Sequence, residues 1–189
     1  MTEPTIKSPP ASFDLAVETL VIGAGACGLI AALSAQESGQ EVLVIEADAV
    51  PSGSTALSAG LIPAAGTKLQ QVAGIEDSPA SFAADIQAKA HGENDPALVD
   101  LMAQNAAEAI DWLMEWHGLP FSVVTNFDYP GHSRRRMHGL PTRAGAELVN
   151  ALRAVLYECG HVIPKGIGKL GHARDIVEEP NSDLPELVR

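Results

Sequence analysis

Residues Val17 to Glu46, VETLVIGAGACGLIAALSAQESGQEVLVIE, decide how this chain is read. An apolar strand candidate runs into Gly23-Ala24-Gly25-Ala26-Cys27-Gly28 and a helix candidate follows. Gly39 then turns the chain into a second apolar strand, Val42-Leu43-Val44-Ile45, which closes on Glu46. A Gly-x-Gly-x-x-Gly run alone occurs by chance in glycine-rich loops. A strand before it, a helix after it and an acid at the tip of the next strand make it a grip for a dinucleotide. Gly23 permits a tight exit from the strand, and Gly25, lacking a Cβ, lets a pyrophosphate approach the backbone. Gly28 lets the helix pack near the strands. The helix, starting at about Gly25, points free N–H groups and its positive dipole end at the phosphates. Ala32 is small where the helix lies against the sheet, and Gly39 suits the turn back. Glu46 can accept hydrogen bonds from both hydroxyls of a ribose, and its charge disfavours a 2′-phosphate, hence NADP.

A chain of 189 residues, 46% of them apolar, has room for one domain of ordinary size. The formal charge of −12 argues against nucleic acid or an anionic membrane as partner. Acids dominate the first 130 residues, where three Lys and no Arg occur, and we read this as a solvated surface. Cys27 and Cys159 are too few and too far apart for a disulfide framework or a metal site. Within the glycine loop Cys27 reads as an inert small side chain. Residues 1–16 are polar and Pro-rich, a flexible leader without an apolar h-region. No stretch is long and apolar enough to span a bilayer, so the cytoplasm is the default location.

From Asp48 to Gly66 the chain is rich in Gly, Ser, Ala and Pro, without helical or strand period. Long loops of this kind tend to be functional; a plain surface linker is the alternative. Ser78-Pro79 opens a helix to about Ala90, and Asp95-Pro96 opens another that Gly118 ends. Leu98, Leu101, Met102, Ala109, Trp112, Leu113 and Trp116 fall mostly on one face of the second helix, which predicts a core role for the Trp and Met residues. Pro120 to Thr142 reads as a loop region carrying Arg134-Arg135-Arg136, His132 and His138. The basic cluster is either a solvated loop or an anion site, with Arg136 and His138 the candidates for a substrate anion. A further helix runs from about Gly145 to Cys159. No Ser-His-Asp arrangement, zinc spacing or carboxylate pair can be argued.

The motifs together resemble the fumarate reductase/succinate dehydrogenase flavoprotein family, which also contains flavocytochrome fumarate reductases, urocanate reductases and 3-ketosteroid dehydrogenases. The resemblance rests on Gly23–Glu46, Ser52–Gly66, the Asp95-Pro96-Ala97-Leu98-Val99 helix start and Pro141-Thr142 before a helix, and covers residues 17–160. It implies an α/β fold: a Rossmann-like FAD/NAD(P)-binding domain with parallel strands and added helices. It also implies FAD as cofactor, with Gly23, Ala24, Gly25, Ala26, Cys27 and Gly28 at the pyrophosphate and Glu46 at the adenosine ribose. Ser54, Thr55, Ser58, Ala59 and Gly60 then lie against the pyrophosphate, ribityl chain and flavin ring. Family members usually carry Gly-Gly-Asn-Ser where this chain has Ser52-Gly53-Ser54-Thr55, and Lys where it has Ala47. Backbone contacts survive those changes better than side-chain contacts do.

The implied chemistry is hydride transfer between the flavin and a carbon next to a carbonyl or carboxylate of a small-molecule substrate, with an unspecified electron donor or acceptor. The family's proton donor and most of its substrate contacts come from a capping domain and a C-terminal return that this chain lacks, so no catalytic residue is assigned. Residues 161–189 read as an atypical tail, as in a truncated or frameshifted product. Their second glycine run, Gly166 to Gly171, lacks both strand and helix. Two rivals follow: a catalytically incomplete FAD-binding fragment, or a small NAD-binding module. An unfinished sheet would leave an open edge and apolar helix faces, which favours self-association.

Overall fold

The first strand, β1 (Thr19–Ile22), pairs in parallel with β2 (Val42–Ile45), Thr19 opposite Val42 and Ile22 opposite Ile45. The connection between them is α1 (Ala26–Glu37), which packs on both strands. The fold therefore opens with a parallel β-α-β unit, the α/β arrangement that the sequence suggests. The computed structural model describes residues 16–48 and 50–158. Leu29, Ala32 and Leu33 of α1 are buried, and so are Val42, Val44 and Ile45 of β2. Parallel strands are normally covered on both faces. Here β1 alternates, leaving Leu20 48% and Ile22 63% exposed.

The described residues divide into two compact units, one of 16–57 and 148–158, the other of Ser58–Glu147. The first also holds the short α2 (Ser54–Leu57) and most of α6 (Gly145–Glu158), whose Leu148, Val149, Leu152 and Leu156 are buried.

The second unit contains β3 (Ile62–Pro63), α3 (Lys68–Val72), α4 (Pro79–Lys89), α5 (Pro96–Glu115), β4 (Ser122–Val123) and β5 (Met137–Gly139). Its sheet is antiparallel in the order β3-β5-β4. The helix starts follow the sequence signals. Ser78 Oγ accepts the Ser81 N–H at 3.1 Å and Asp95 Oδ1 accepts the Ala97 N–H at 2.9 Å, each followed by Pro at the first helical position. Gly118 takes φ 66° past the end of α5. Phe82 of α4, Ala103 of α5 and Ala65 form a buried cluster with Ala83, Ile86 and Ala106 packed on it. Complete burial of Phe82 contributes about 1.5–3 kcal/mol.

Three expectations need correction. The buried line of α5 is Val99, Ala103, Ile110 and Leu113, while Leu98, Leu101, Met102 and Trp116 are exposed. The helix carries two overlapping apolar faces, and α4 packs on the one whose small Ala103 and Ala106 admit close approach. The stretch from Asp48 to Gly66 is not structureless, since it holds α2 and β3. The region from Pro120 to Thr142 supplies β4 and β5, strands of two and three residues, too short to show a period. The leader to residue 15, Cys159, the tail from 161 and its second glycine run lie outside the described residues.

Candidate cofactor-binding site

In the first unit the glycine loop joins β1 to α1. Gly23 takes φ 104°, a conformation that side chains disfavour, and its N–H donates to Ile45 O at 2.7 Å. A Cβ on Gly28 would stand 2.0 Å from Gly23 O and 3.1 Å from Val21 Cγ1, so glycine there is a packing requirement. Gly25 differs. It is the N-cap of α1 at φ −74°, and an added Cβ would meet only Thr55 Oγ1, at 3.5 Å, an ordinary contact. Nothing among the described residues demands a glycine at that position. The N-terminus of α1 has no side-chain cap from Gly25 itself; instead Thr55 Oγ1 accepts the Ala26 N–H at 3.2 Å. Thr55 belongs to α2, whose first residue, Ser54, is exposed.

Glu46 is half-buried at the end of β2, and both of its oxygens are oriented by backbone. Oε2 accepts the Ala24 N–H at 2.6 Å and Oε1 the Asp48 N–H at 3.2 Å. Each oxygen keeps a second lone pair for a hydroxyl donor. Ala47 beside it is exposed. Cys27 is exposed on the first turn of α1, rather than packed in the loop as its neighbours suggest.

In the second unit, Ser58 to Gly60 lies against the turn that precedes α6. The Gly145 N–H donates to Ser58 O at 2.8 Å, and a Cβ on Gly60 would fall 2.8 Å from Ala144 O. Ser58 Oγ accepts the Gly60 N–H at 3.0 Å.

The three arginines separate into different roles. Arg134 and Arg135 are exposed, and Arg135 pairs with Asp128 at 2.7 Å. Arg136 is fully buried. Its Nε and one terminal nitrogen reach Asp77 at 2.8 and 2.9 Å, and the other reaches Asp85 at 2.6 Å. The Phe82 ring lies 4.9 Å from the guanidinium carbon. Burial pushes the Asp85 carboxyl up, but hydrogen bonds from Ser133 and Arg136 outweigh it and hold the group below its ordinary value.

His138 is equally enclosed, with Nδ1 2.9 Å from Arg136 O and Nε2 2.8 Å from Thr67 Oγ1. A carbonyl can only accept, so Nδ1 carries the proton and Nε2 accepts from Thr67. Burial lowers the pKa of His138 against the opposing pull of the Arg136 and Ile62 carbonyls. Gln70 completes the network: its amide donates to Asp77 and Arg135 O, and its oxygen accepts the Gly66 and Thr67 N–H groups. The expectation of a substrate anion at Arg136 and His138 therefore gives way to a structural reading. An anion at Arg136 would have to displace two carboxylates already seated there. Sequence reading missed the partners Thr67, Gln70, Asp77 and Asp85; only the capping pattern at Thr67 and Gln70 gave a signal, and that signal concerns a helix start.

Residues 18–164 match the family described as FAD binding domain. The chain belongs to that family. FAD is accordingly the dinucleotide that the chain binds. Among curated relatives of this FAD-binding chain, the fumarate reductase (cytochrome) of Shewanella frigidimarina is 37% identical over 97 residues, 51% of this chain and 17% of the relative. The urocanate reductase of Eggerthella lenta is 32% identical over 131 residues, 69% of this chain and 22% of the relative. The chain thus spans about a fifth of the length of these relatives. Among solved structures, the open conformation of a flavocytochrome c3 fumarate reductase superposes with a TM-score of 0.68 at 29% identity, covering 77% of this chain and 26% of that one. The 3-ketosteroid-Δ4-(5α)-dehydrogenase of Rhodococcus jostii RHA1 shares the fold, with a TM-score of 0.65 at 22% identity, over 79% of this chain and 38% of that one.

The residues of the first unit fit FAD. Gly25 leaves a bare backbone at the N-terminus of α1, where a Cβ would otherwise project. No helix among the described residues is long and apolar enough to cross a membrane, and no group of His, Cys, Asp or Glu among them could hold a metal ion.

Proposed function

We propose that Gly23, Ala24, Gly25, Ala26, Cys27, Gly28 and Thr55 hold the FAD pyrophosphate, with Ser54 beside them, and that Glu46 and Ala47 receive the adenosine ribose. Ser58, Ala59 and Gly60 serve the flavin portion in this reading, on the strength of the family resemblance. The chain is then the FAD-binding part of an oxidoreductase that moves hydride to or from a carbon adjacent to a carbonyl or carboxylate. FAD supplies the hydride chemistry when bound. The chain's own residues bind and orient it: α1 directs N–H groups at phosphate, and Glu46 accepts from ribose hydroxyls.

The observation that carries this reading is Gly25, whose backbone is ordinary and whose missing Cβ no atom among the described residues requires. Titration of the purified chain with FAD or NADH, followed by flavin fluorescence and melting temperature, tests it. FAD is expected to raise the melting temperature and NADH to leave it unchanged. The reverse pattern would return the chain to a small NAD-binding module. A second reading is supported by the chain's coverage of about a fifth of its relatives: a fragment that binds FAD without turning over. Bound yellow flavin with no turnover of fumarate or a related unsaturated acid under a reduced electron donor would favour it.

A further inference from the structure

The structure assigns a small-ligand site to the cleft beside Ser133, Arg134 and Arg135, and its charge selects an organic molecule with a single carboxylate. The cleft lies wholly within the second unit. It has a volume of about 360 Å³ and is lined by Ile75, Asp128, His132, Ser133, Arg134 and Arg135. That volume falls in the range of small-molecule sites.

Arg134 is the member of the arginine cluster without an acid. Its Nε donates to Glu76 O at 3.2 Å and its Nη1 to Ser133 O at 2.9 Å, and no carboxylate among the described residues pairs with it. Two carbonyls thus orient the guanidinium without neutralising it, and Nη2 keeps its donors for a ligand. The chain that carries Arg134 is anchored before any ligand arrives. Ser133 gives its N–H and hydroxyl to Asp85 Oδ2 at 2.7 and 2.8 Å, Gln70 donates to Arg135 O at 2.9 Å, and Arg136 is buried against Asp77 and Asp85. Little ordering cost therefore opposes binding. His132 is held by ring contacts with Phe82 at 6.0 Å and Tyr129 at 5.0 Å, and with Ile75 it offers half-buried surface to the body of a ligand.

Charge sets the ligand class. Arg135 hydrogen-bonds to Asp128 and holds that carboxyl below its ordinary value, so the two charges offset each other. Burial and the nearby Arg136 cation lower the pKa of His132 and keep it neutral at pH 7. The positive charge of Arg134 is what remains among the lining residues, and it matches a monocarboxylate. A phosphate dianion or a dicarboxylate would bring a second negative charge against Asp128. The site binds; none of its residues is assigned to a reaction.

Calorimetric titration of the full chain, saturated with FAD, uses benzoate, succinate and inorganic phosphate as probes. The forms compared are wild type, Arg134→Gln, Asp128→Asn and Arg143→Gln. Benzoate is expected to saturate wild type at millimolar concentrations and to bind more tightly than succinate or phosphate. Arg134→Gln, whose amide can still donate to Glu76 O, should melt like wild type and bind benzoate about tenfold more weakly, the loss of one charge-assisted hydrogen bond. Asp128→Asn adds a net positive charge to the cleft and should raise phosphate affinity. Arg143→Gln removes an exposed cation that bonds to Asn126 outside the cleft, and should leave these affinities unchanged. A wild type that takes up no benzoate at tens of millimolar overturns the proposal. So does an Arg134→Gln that binds benzoate as well as wild type, or an Arg143→Gln that weakens it as much. Phosphate bound more tightly than benzoate, or unimproved by Asp128→Asn, overturns the assignment to a single carboxylate.

Discussion

The glycine loop yields opposite outcomes from the same small change at two positions three residues apart. In Gly28→Ala the new methyl starts 2.0 Å from Gly23 O, and Cβ atoms essentially never approach closer than 3.0 Å, so about 1 Å must open between α1 and the end of β1. The obstacle is backbone, with Val21 Cγ1 behind it at 3.1 Å, so no flexible side chain can yield. Either α1 lifts from β1, or the Gly23 peptide rotates and loses its 2.7 Å bond to Ile45 O. Overpacking of this kind costs about 1–3 kcal/mol, and a lost backbone hydrogen bond adds about 1 kcal/mol. Together they remove a large share of a typical stability of about 5–15 kcal/mol. In Gly25→Ala the methyl meets Thr55 Oγ1 at 3.5 Å and the φ of −74° suits alanine. Only the poorer N-cap preference of alanine remains, about 1 kcal/mol or less. In the proposed site its effect falls on the ligand, since the methyl would stand where phosphate approaches the helix N-terminus, and FAD affinity should drop more than tenfold. Urea unfolding gives the stabilities and flavin fluorescence titration the affinities. A stable Gly28→Ala, or a Gly25→Ala that binds FAD like wild type, would refute the division of labour between the two glycines.

Further outcomes follow from the same contacts. Arg136→Met leaves Asp77 and Asp85 facing each other without their cation and should destabilise by about 3–5 kcal/mol in urea melts. Glu46→Ala strips the acceptor from the Ala24 N–H, and Ala24 is buried, so about 1–3 kcal/mol of stability should go along with FAD affinity. His138 is held neutral by burial, its folded pKa below the ordinary 6.5. The unfolded chain therefore takes up a proton first as the pH falls. Stability is intact above about pH 6.5 and is lost as pH drops below it, with a slope of at most about 1.4 kcal/mol per pH unit for this residue. His132, whose pKa is also lowered chiefly by burial, adds a dependence of the same sign. Urea melts between pH 7.5 and 5.5 should show a shallower slope in His138→Gln than in wild type, and equal slopes would count against a neutral His138.

The parallel β-α-β unit was legible because each of its devices is local. Gly23 needs a positive φ, Gly28 needs space within five residues, and Glu46 sits at the end of an unmistakable apolar run. The helix starts at Ser78 and Asp95 were legible for the same reason: an N-cap and its proline are adjacent in sequence. The face of α5 was not. Leu98 and Leu101 look more like core than Ala103 and Ala106 do, and what decides is the approach of α4, a partner that no period within α5 reveals.

Arg136 shows the same limit for charge, and explains why a basic cluster is poor guidance to an anion site. The sequence presents Arg134, Arg135 and Arg136 as equals, yet the first two stay exposed while Arg136, at the entrance to β5, is buried. Arg136 goes inward, where a lone cation would be costly, so the fold supplies Asp77 from 59 residues away and Asp85 from 51. His138, two residues on, also points inward, and its ring bonds to Arg136 O and Thr67 Oγ1. Two carboxylates already seated on the buried guanidinium, and an imidazole N–H spent on a backbone carbonyl, leave this pair poorly suited to a substrate anion. What separates an anion-binding arginine from a structural one here is not the local density of positive charge but whether carboxylates already occupy its donors.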